Sequence, residues 1–141
     1  MNVLYLDTNI FIYLSDAQSI YHKDSQAFIN YCQREKILVA TSAETIQEII
    51  HYSKNTKQLK KGLILAGVVL KMVDELFPVT QTTIRIFLEE VKRYPNIKSR
   101  DLVHFSTCLE NKIERLVTYD REFTSLKGVK VLNPANFTHN P

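Results

Sequence analysis

Glycine is nearly missing from this chain. Only three of its 141 residues are glycine (Gly62, Gly67 and Gly128), about 2% where soluble proteins average about 7%. That shortage excludes dinucleotide fingerprints and phosphate-cradling loops, which need glycine wherever the backbone crowds a phosphate. The segment Gly62-Leu-Ile-Leu-Ala-Gly67 has the spacing of such a loop, but continues Val68-Val69 where Lys and Ser/Thr are required. Cysteine is scarce too. Cys32 and Cys108 lack Cys-x-x-Cys spacing, so there is no disulfide framework and a reduced, cytoplasmic setting is expected. His22, His51, His104 and His139 have no mutual ligand spacing, which argues against zinc. Long apolar runs are absent as well: Leu63 to Leu70 falls far short of the ~20 residues that span a bilayer. Val3 to Leu6 is too short for a secretion signal. No membrane association is expected.

What is present is an ordinary core-forming composition, 45% hydrophobic and 23% charged, in a length that suits one domain over residues 1–141. Eighteen Lys and Arg against fifteen Asp and Glu give a net charge of +3, compatible with a nucleic-acid ligand without specifying one. Short apolar runs predict strands at Val3–Leu6, Ile37–Ala40, Leu76–Val79, Arg115–Thr118 and Val129–Leu132. Pro78 suggests that the third lies near a sheet edge. Helical periodicity fills the intervals. Thr41-Ser42-Ala43-Glu44 has capping-box spacing ahead of a helix to about Ser53, an apolar helix runs to about Glu75, and Ser99 is placed to cap a helix to about Asn111. This alternation predicts an α/β fold: an α/β/α sandwich on a mostly parallel sheet of about five strands. Ligands of such sheets sit beyond the carboxyl ends of the strands, near the topological switch point.

Four carboxylates fall near those ends. Asp7 follows the first strand, Asp120 lies two residues past Thr118, Asp101 is in the first turn of the helix after Ser99, and Glu48 is two turns into the helix after the second strand. Like charges repel, so a protein that gathers carboxylates normally holds a cation between them. Oxygen ligands favour Mg²⁺ or Mn²⁺. Each acid also has a plainer explanation. Asp7, Asp101 and Asp120 stand where aspartate caps helices and turns. Glu48 lies opposite the apolar face of Ala43, Ile46, Ile49 and Ile50, as a solvated residue would.

Taken together, Val3-Leu4-Tyr5-Leu6-Asp7-Thr8-Asn9-Ile10-Phe11, Thr41-Ser42-Ala43-Glu44-Thr45-Ile46-Gln47-Glu48-Ile49, Arg100-Asp101-Leu102-Val103-His104, Leu116-Val117-Thr118-Tyr119-Asp120-Arg121-Glu122-Phe123 and Val131-Leu132-Asn133-Pro134 resemble a PIN domain. Within that superfamily the chain looks like the VapC-type toxins of toxin–antitoxin pairs. The resemblance spans the whole chain in order. It implies a metal-dependent endoribonuclease in which Asp7, Glu48, Asp101 and Asp120 form the acidic quartet. Asp7 and Asp101 would be the direct Mg²⁺ ligands, Asp120 would lie beside them or act through water, and Glu48 would bind a second metal or orient the attacking water. Asn9 and Thr118 match polar supporting positions of the family. The resemblance also implies a homodimer and a small antitoxin across the cleft. The chain departs from the family at His104-Phe105, where PIN domains often carry a small residue. His104, one turn from Asp101, is either a substrate contact or a partly buried structural histidine.

Lys54, Lys57, Lys60 and Lys61 form the densest basic stretch; with Arg100 and His104 they are the candidate RNA contacts, and a solvated turn explains the lysines equally well. Tyr52, Tyr94 and Arg93 could add stacking. Gly62 to Val73 is apolar nearly all round, so it is either deeply buried or covered by a partner. Aspartyl-phosphate phosphatases also open on a strand ending in Asp, but they need a second Asp where Asn9 stands. The competing readings are a housekeeping RNA-processing PIN nuclease and an inactive RNA-binding relative; loss of an acid would mark the latter, and all four are present.

Overall fold

The computed structural model describes residues 3–138; His139 lies outside them. Along these residues run β1 (Val3–Leu6), α1 (Thr8–Ser15), α2 (His22–Arg34), β2 (Leu38–Ser42), α3 (Ala43–Asn55), α4 (Leu59–Met72) and β3 (Glu75–Phe77). There follow α5 (Gln81–Arg93), α6 (Ser99–Glu110), β4 (Arg115–Val117), a 3-10 turn (Arg121–Ser125), β5 (Lys130–Leu132) and α7 (Ala135–Thr138). The strands pair in parallel, in the order β3-β2-β1-β4-β5. The chain leaves β1 toward β2 on one side and later returns to β4 on the other. The switch point therefore lies between the ends of β1 and β4.

β1 reads as a continuous apolar run because both of its faces are covered. Leu4 and Leu6 pack with Ile10, Phe11, Phe28 and Val69 from α1, α2 and α4. Val3 and Tyr5 face the other way, against Leu102, Phe105 and Cys108 of α6, with Phe87 and Val91 of α5 beyond. Each fully buried leucine is worth roughly 1.5–3 kcal/mol relative to exposure. These two cores on one sheet are the expected three layers.

Several boundaries differ from the sequence expectation. β2 runs on to Ser42 because Thr41 and Ser42 pair with β3, and the Thr41 hydroxyl donates to Leu6 O at 2.8 Å. Ser42, not Thr41, then caps α3, its hydroxyl accepting from Glu44 N. α4 stops at Met72, short of Glu75, because Asp74 N donates to Val39 O and Val39 N donates to Asp74 Oδ2, drawing the chain onto β2. β3 ends ahead of Pro78, which has no N–H to give the ladder. Ser99 is the first residue of α6 and not its cap; Lys98 holds that position without a side-chain bond. The loop-like spacing from Gly62 to Gly67 lies inside α4. Gly62 is there because a Cβ at that position would come within 2.0 Å of Ser53 Oγ on α3.

Candidate active site

Asp7 leaves β1 in extended conformation and caps α1. Its Oδ1 accepts from Thr8 N and its Oδ2 from Thr118 Oγ1, both at 2.7 Å. The capping explanation is therefore true, and it is also what aims the carboxylate into the switch point. Thr118, just past β4, is a hub: its hydroxyl also accepts from Asn9 Nδ2 at 3.1 Å and from Asp120 N at 3.0 Å. Asp120 caps the 3-10 turn, its Oδ1 accepting from Glu122 N at 2.9 Å.

Asp101 differs from these. It is buried in the first turn of α6, and its Oδ2 is shut away from solvent with no hydrogen-bond partner. A buried carboxylate oxygen left unpaired carries a full desolvation penalty. Burial, then the charge of Asp7 and more weakly those of Asp120 and Glu48, outweigh the opposing effect of His104 and push the Asp101 pKa up to about 7. Asp7 is also raised, burial dominating over the lowering by His104 and Thr118.

Glu48 is half-buried on α3. Burial acts to raise its pKa, but the hydrogen bond and charge of His104, the Thr8 hydroxyl and Arg100 together hold it below the usual range. Thr8 Oγ1 donates to Glu48 Oε1 at 2.9 Å, and His104 Nε2 lies 2.5 Å from the same oxygen. The face of α3 that looked solvated borders a cleft. Burial would depress His104, yet Glu48 and Asp7 raise it overall.

Of the two alternatives for His104, its burial favours the structural one: the ring meets Glu48, Thr8 and Tyr5 and is shut off from solvent. Thr8, Tyr5 and Glu122 were not singled out from sequence. Tyr5 could have been, since a phenol in a fully buried strand requires a polar partner. Among the described residues, Asp7, Glu48 and His104 offer ligand atoms within 4.8 Å of one another, as do Asp101, Asp120 and Glu122. Oxygen-rich donors around an orphaned carboxylate oxygen fit a hard divalent cation.

The cleft is about 520 Å³, lined by Asp7, Asn9, Glu48, Asp101 and Asp120, with His51, Tyr52, Lys98 and Arg100 beside them. Arg100 thus borders the site. Lys54, Lys57, Lys60 and Lys61 are exposed around the α3–α4 turn and do not line it. Tyr94 is structural, packing its ring on Phe105 and accepting from Lys127 N. Nor is α4 deeply buried: Gly62, Ala66 and Val69 face inward, while Leu63, Ile64 and Leu70 are more than half exposed. No helix among the described residues is long and apolar enough to cross a membrane.

A doubly wound parallel sheet with carboxylates at its switch point defines the class, and the family comparison agrees. Residues 4–129 match the PIN domain model, and the chain belongs to the PIN-domain family. Ribonuclease VapC13 of Mycobacterium tuberculosis and VapC ribonuclease Mb1869c of Mycobacterium bovis are each 28% identical over 130 residues, 92% of this chain and 99% of theirs. Among solved structures, the sarcin-ricin loop cleaving toxin VapC20 of Mycobacterium tuberculosis superposes with TM-score 0.75 at 18% identity, over 91% of this chain and 98% of that one. VapBC2 of Rickettsia felis, bound to a DNA fragment from its promoter, gives TM-score 0.74 at 16% identity, over 93% and 98%.

Proposed function

We propose that the protein is a divalent-metal-dependent endoribonuclease and the toxin of a VapBC-type toxin–antitoxin pair. The observation that carries this reading is the convergence of Asp7, Glu48, Asp101 and Asp120 on the β1–β4 switch point, with an Asp101 oxygen buried and unpartnered. Asp7, Asp101 and Asp120 would hold Mg²⁺ or Mn²⁺. Bound there, such a cation supplies Lewis-acid chemistry, strengthening water as a nucleophile and offsetting charge on a phosphodiester. Glu48, kept ionised, orients the attacking water and accepts its proton. Thr118 and Asn9 keep Asp7 and Asp120 in register across the switch point. Lys98 and Arg100 meet the RNA backbone at the cleft edge.

A groove of about 660 Å³ between α1, α3 and α4 supports the toxin assignment over a housekeeping nuclease. It is lined by Leu14, Ile64, Leu65 and Val68 and shares Ile12 and Tyr52 with the acidic cleft. An antitoxin segment seated in this groove reaches the active site directly. Ile84 and Leu88, exposed on α5, offer a separate apolar patch for a homodimer.

The test is co-purification with the product of the adjacent gene, followed by release of the partner and RNA cleavage in Mg²⁺ or Mn²⁺. Cleavage that is lost in Asp7→Asn supports the reading. Undiminished cleavage by that variant, or none by the freed wild-type chain, overturns it.

A further inference from the structure

We propose that His104 is a positioning residue for the nuclease reaction, acting through Glu48 and never touching RNA; the inference rests on the nuclease reading above. Asp7 and Asp120 stand at strand ends and are anchored by the backbone N–H groups of Thr8 and Glu122. Glu48 has no such local anchor. It extends from mid-helix on a long side chain, and both of its hydrogen-bond partners come from other elements: Thr8 Oγ1 at 2.9 Å and His104 Nε2 at 2.5 Å, each on Oε1.

His104 is itself immobilised. Its ring is 0% exposed, and Nδ1 lies 2.6 Å from the Tyr5 hydroxyl. That hydroxyl donates to Ser42 Oγ at 2.8 Å, and Ser42 is the cap of α3, the helix that carries Glu48. The circuit is closed: α3 cap, β1, α6 and back to α3. Because a carboxylate only accepts, Nε2 supplies the hydrogen. His104 and Asp101 share α6, so the same helix fixes one acid directly and another through its imidazole. Removing the imidazole leaves Glu48 held by Thr8 alone, and small misplacements of a catalytic group are costly.

The experiment uses the full purified chain with Mn²⁺ and an RNA substrate. His104→Leu should lower kcat by about 100-fold with KM changed by less than about threefold. His104→Gln, whose amide nitrogen takes the place of Nε2, should recover most of that loss. Glu48→Gln/His104→Leu should be no slower than Glu48→Gln alone, since the histidine then has nothing to position. Independently of activity, a low-field imidazole N–H proton resonance should be present in the wild type, lost in Glu48→Gln and retained in Asp120→Asn. Near-wild-type kcat in His104→Leu, losses that multiply in the double variant, or a resonance indifferent to Glu48 would each overturn the proposal. Should His104→Leu fail to fold, His104→Gln and the resonance decide. A wild-type chain that cleaves no RNA overturns the nuclease reading and the positioning role with it, while the resonance separately reports whether the His104–Glu48 bond exists.

Discussion

Asp101→Asn measures what it costs to assemble the acidic cleft. The native carboxylate is buried with one oxygen unpartnered, and burial together with the Asp7 charge lifts its pKa from 3.8 to about 7. A rise of about three units at about 1.4 kcal/mol each sets an upper bound of about 4 kcal/mol. The sign follows from linkage. Below pH 4 both folded and unfolded chains are protonated at this residue and there is no penalty. Between pH 4 and 7 the unfolded chain ionises first, so stability falls as pH rises, and the loss levels off above the folded pKa. Asparagine keeps the shape without the ionisation. The variant should therefore gain under about 2 kcal/mol at pH 5 and up to about 4 kcal/mol at pH 8, the latter a Tm rise of roughly 8–16 °C for a domain of this size. Thermal melts in EDTA across pH 4–8 read this directly. Adding Mn²⁺ should stabilise the wild type, by about 2.7 kcal/mol at a hundred times its Kd, and the variant far less. A variant less stable than wild type at pH 8, a gain independent of pH, or an undiminished Mn²⁺ shift would refute the reasoning.

Other perturbations have equally definite outcomes. Thr118→Val keeps the volume but strips partners from Asp7 Oδ2, Asn9 and the Asp120 N–H, and should cost about 1–3 kcal/mol in urea denaturation along with most cleavage activity. Gly62→Ala forces α4 away from Ser53 and should lower stability by about 1–3 kcal/mol, with recovery in the Gly62→Ala/Ser53→Gly pair. Ile64→Glu with Val68→Glu puts charge into the α3–α4 groove and should abolish antitoxin capture while leaving cleavage by the free chain intact, as pull-down and RNA assays would show.

Three of the four acids were legible because each occupies a position that local sequence defines: the residue after a strand, the first turn of a helix, the cap of a turn. Glu48 was singled out by the resemblance to the PIN domain and not by its own helix, since helical periodicity sees only apolar against polar and cannot tell solvent from a cleft edge. Its companions Thr8, Tyr5 and His104 are brought together across 40 to 99 residues of sequence, a separation at which spacing carries no signal. The lysine cluster shows the opposite limit. Its density is a local property, but direction is not, and the α3–α4 turn carries it clear of the cleft. Thr41 and Ser42 show the same competition on a small scale. Either hydroxyl suits a cap; that of Thr41 is committed to Leu6 O across the sheet, and that of Ser42 remained for the helix.

The pairing of β1 with β4 also bears on when the protein acquires its chemistry. Asp7 and Thr118 are 111 positions apart, and the hydrogen bond between them spans most of the polypeptide. Contacts of such separation close late in folding, because the intervening loop entropy is lost before they repay it. During synthesis the chain emerges with β1, Asp7 and Glu48 already made, yet Asp101, Thr118 and Asp120 still to come. A growing chain cannot assemble its cleft until β4 inserts beside β1, so catalytic competence arrives only with the last quarter of the polypeptide.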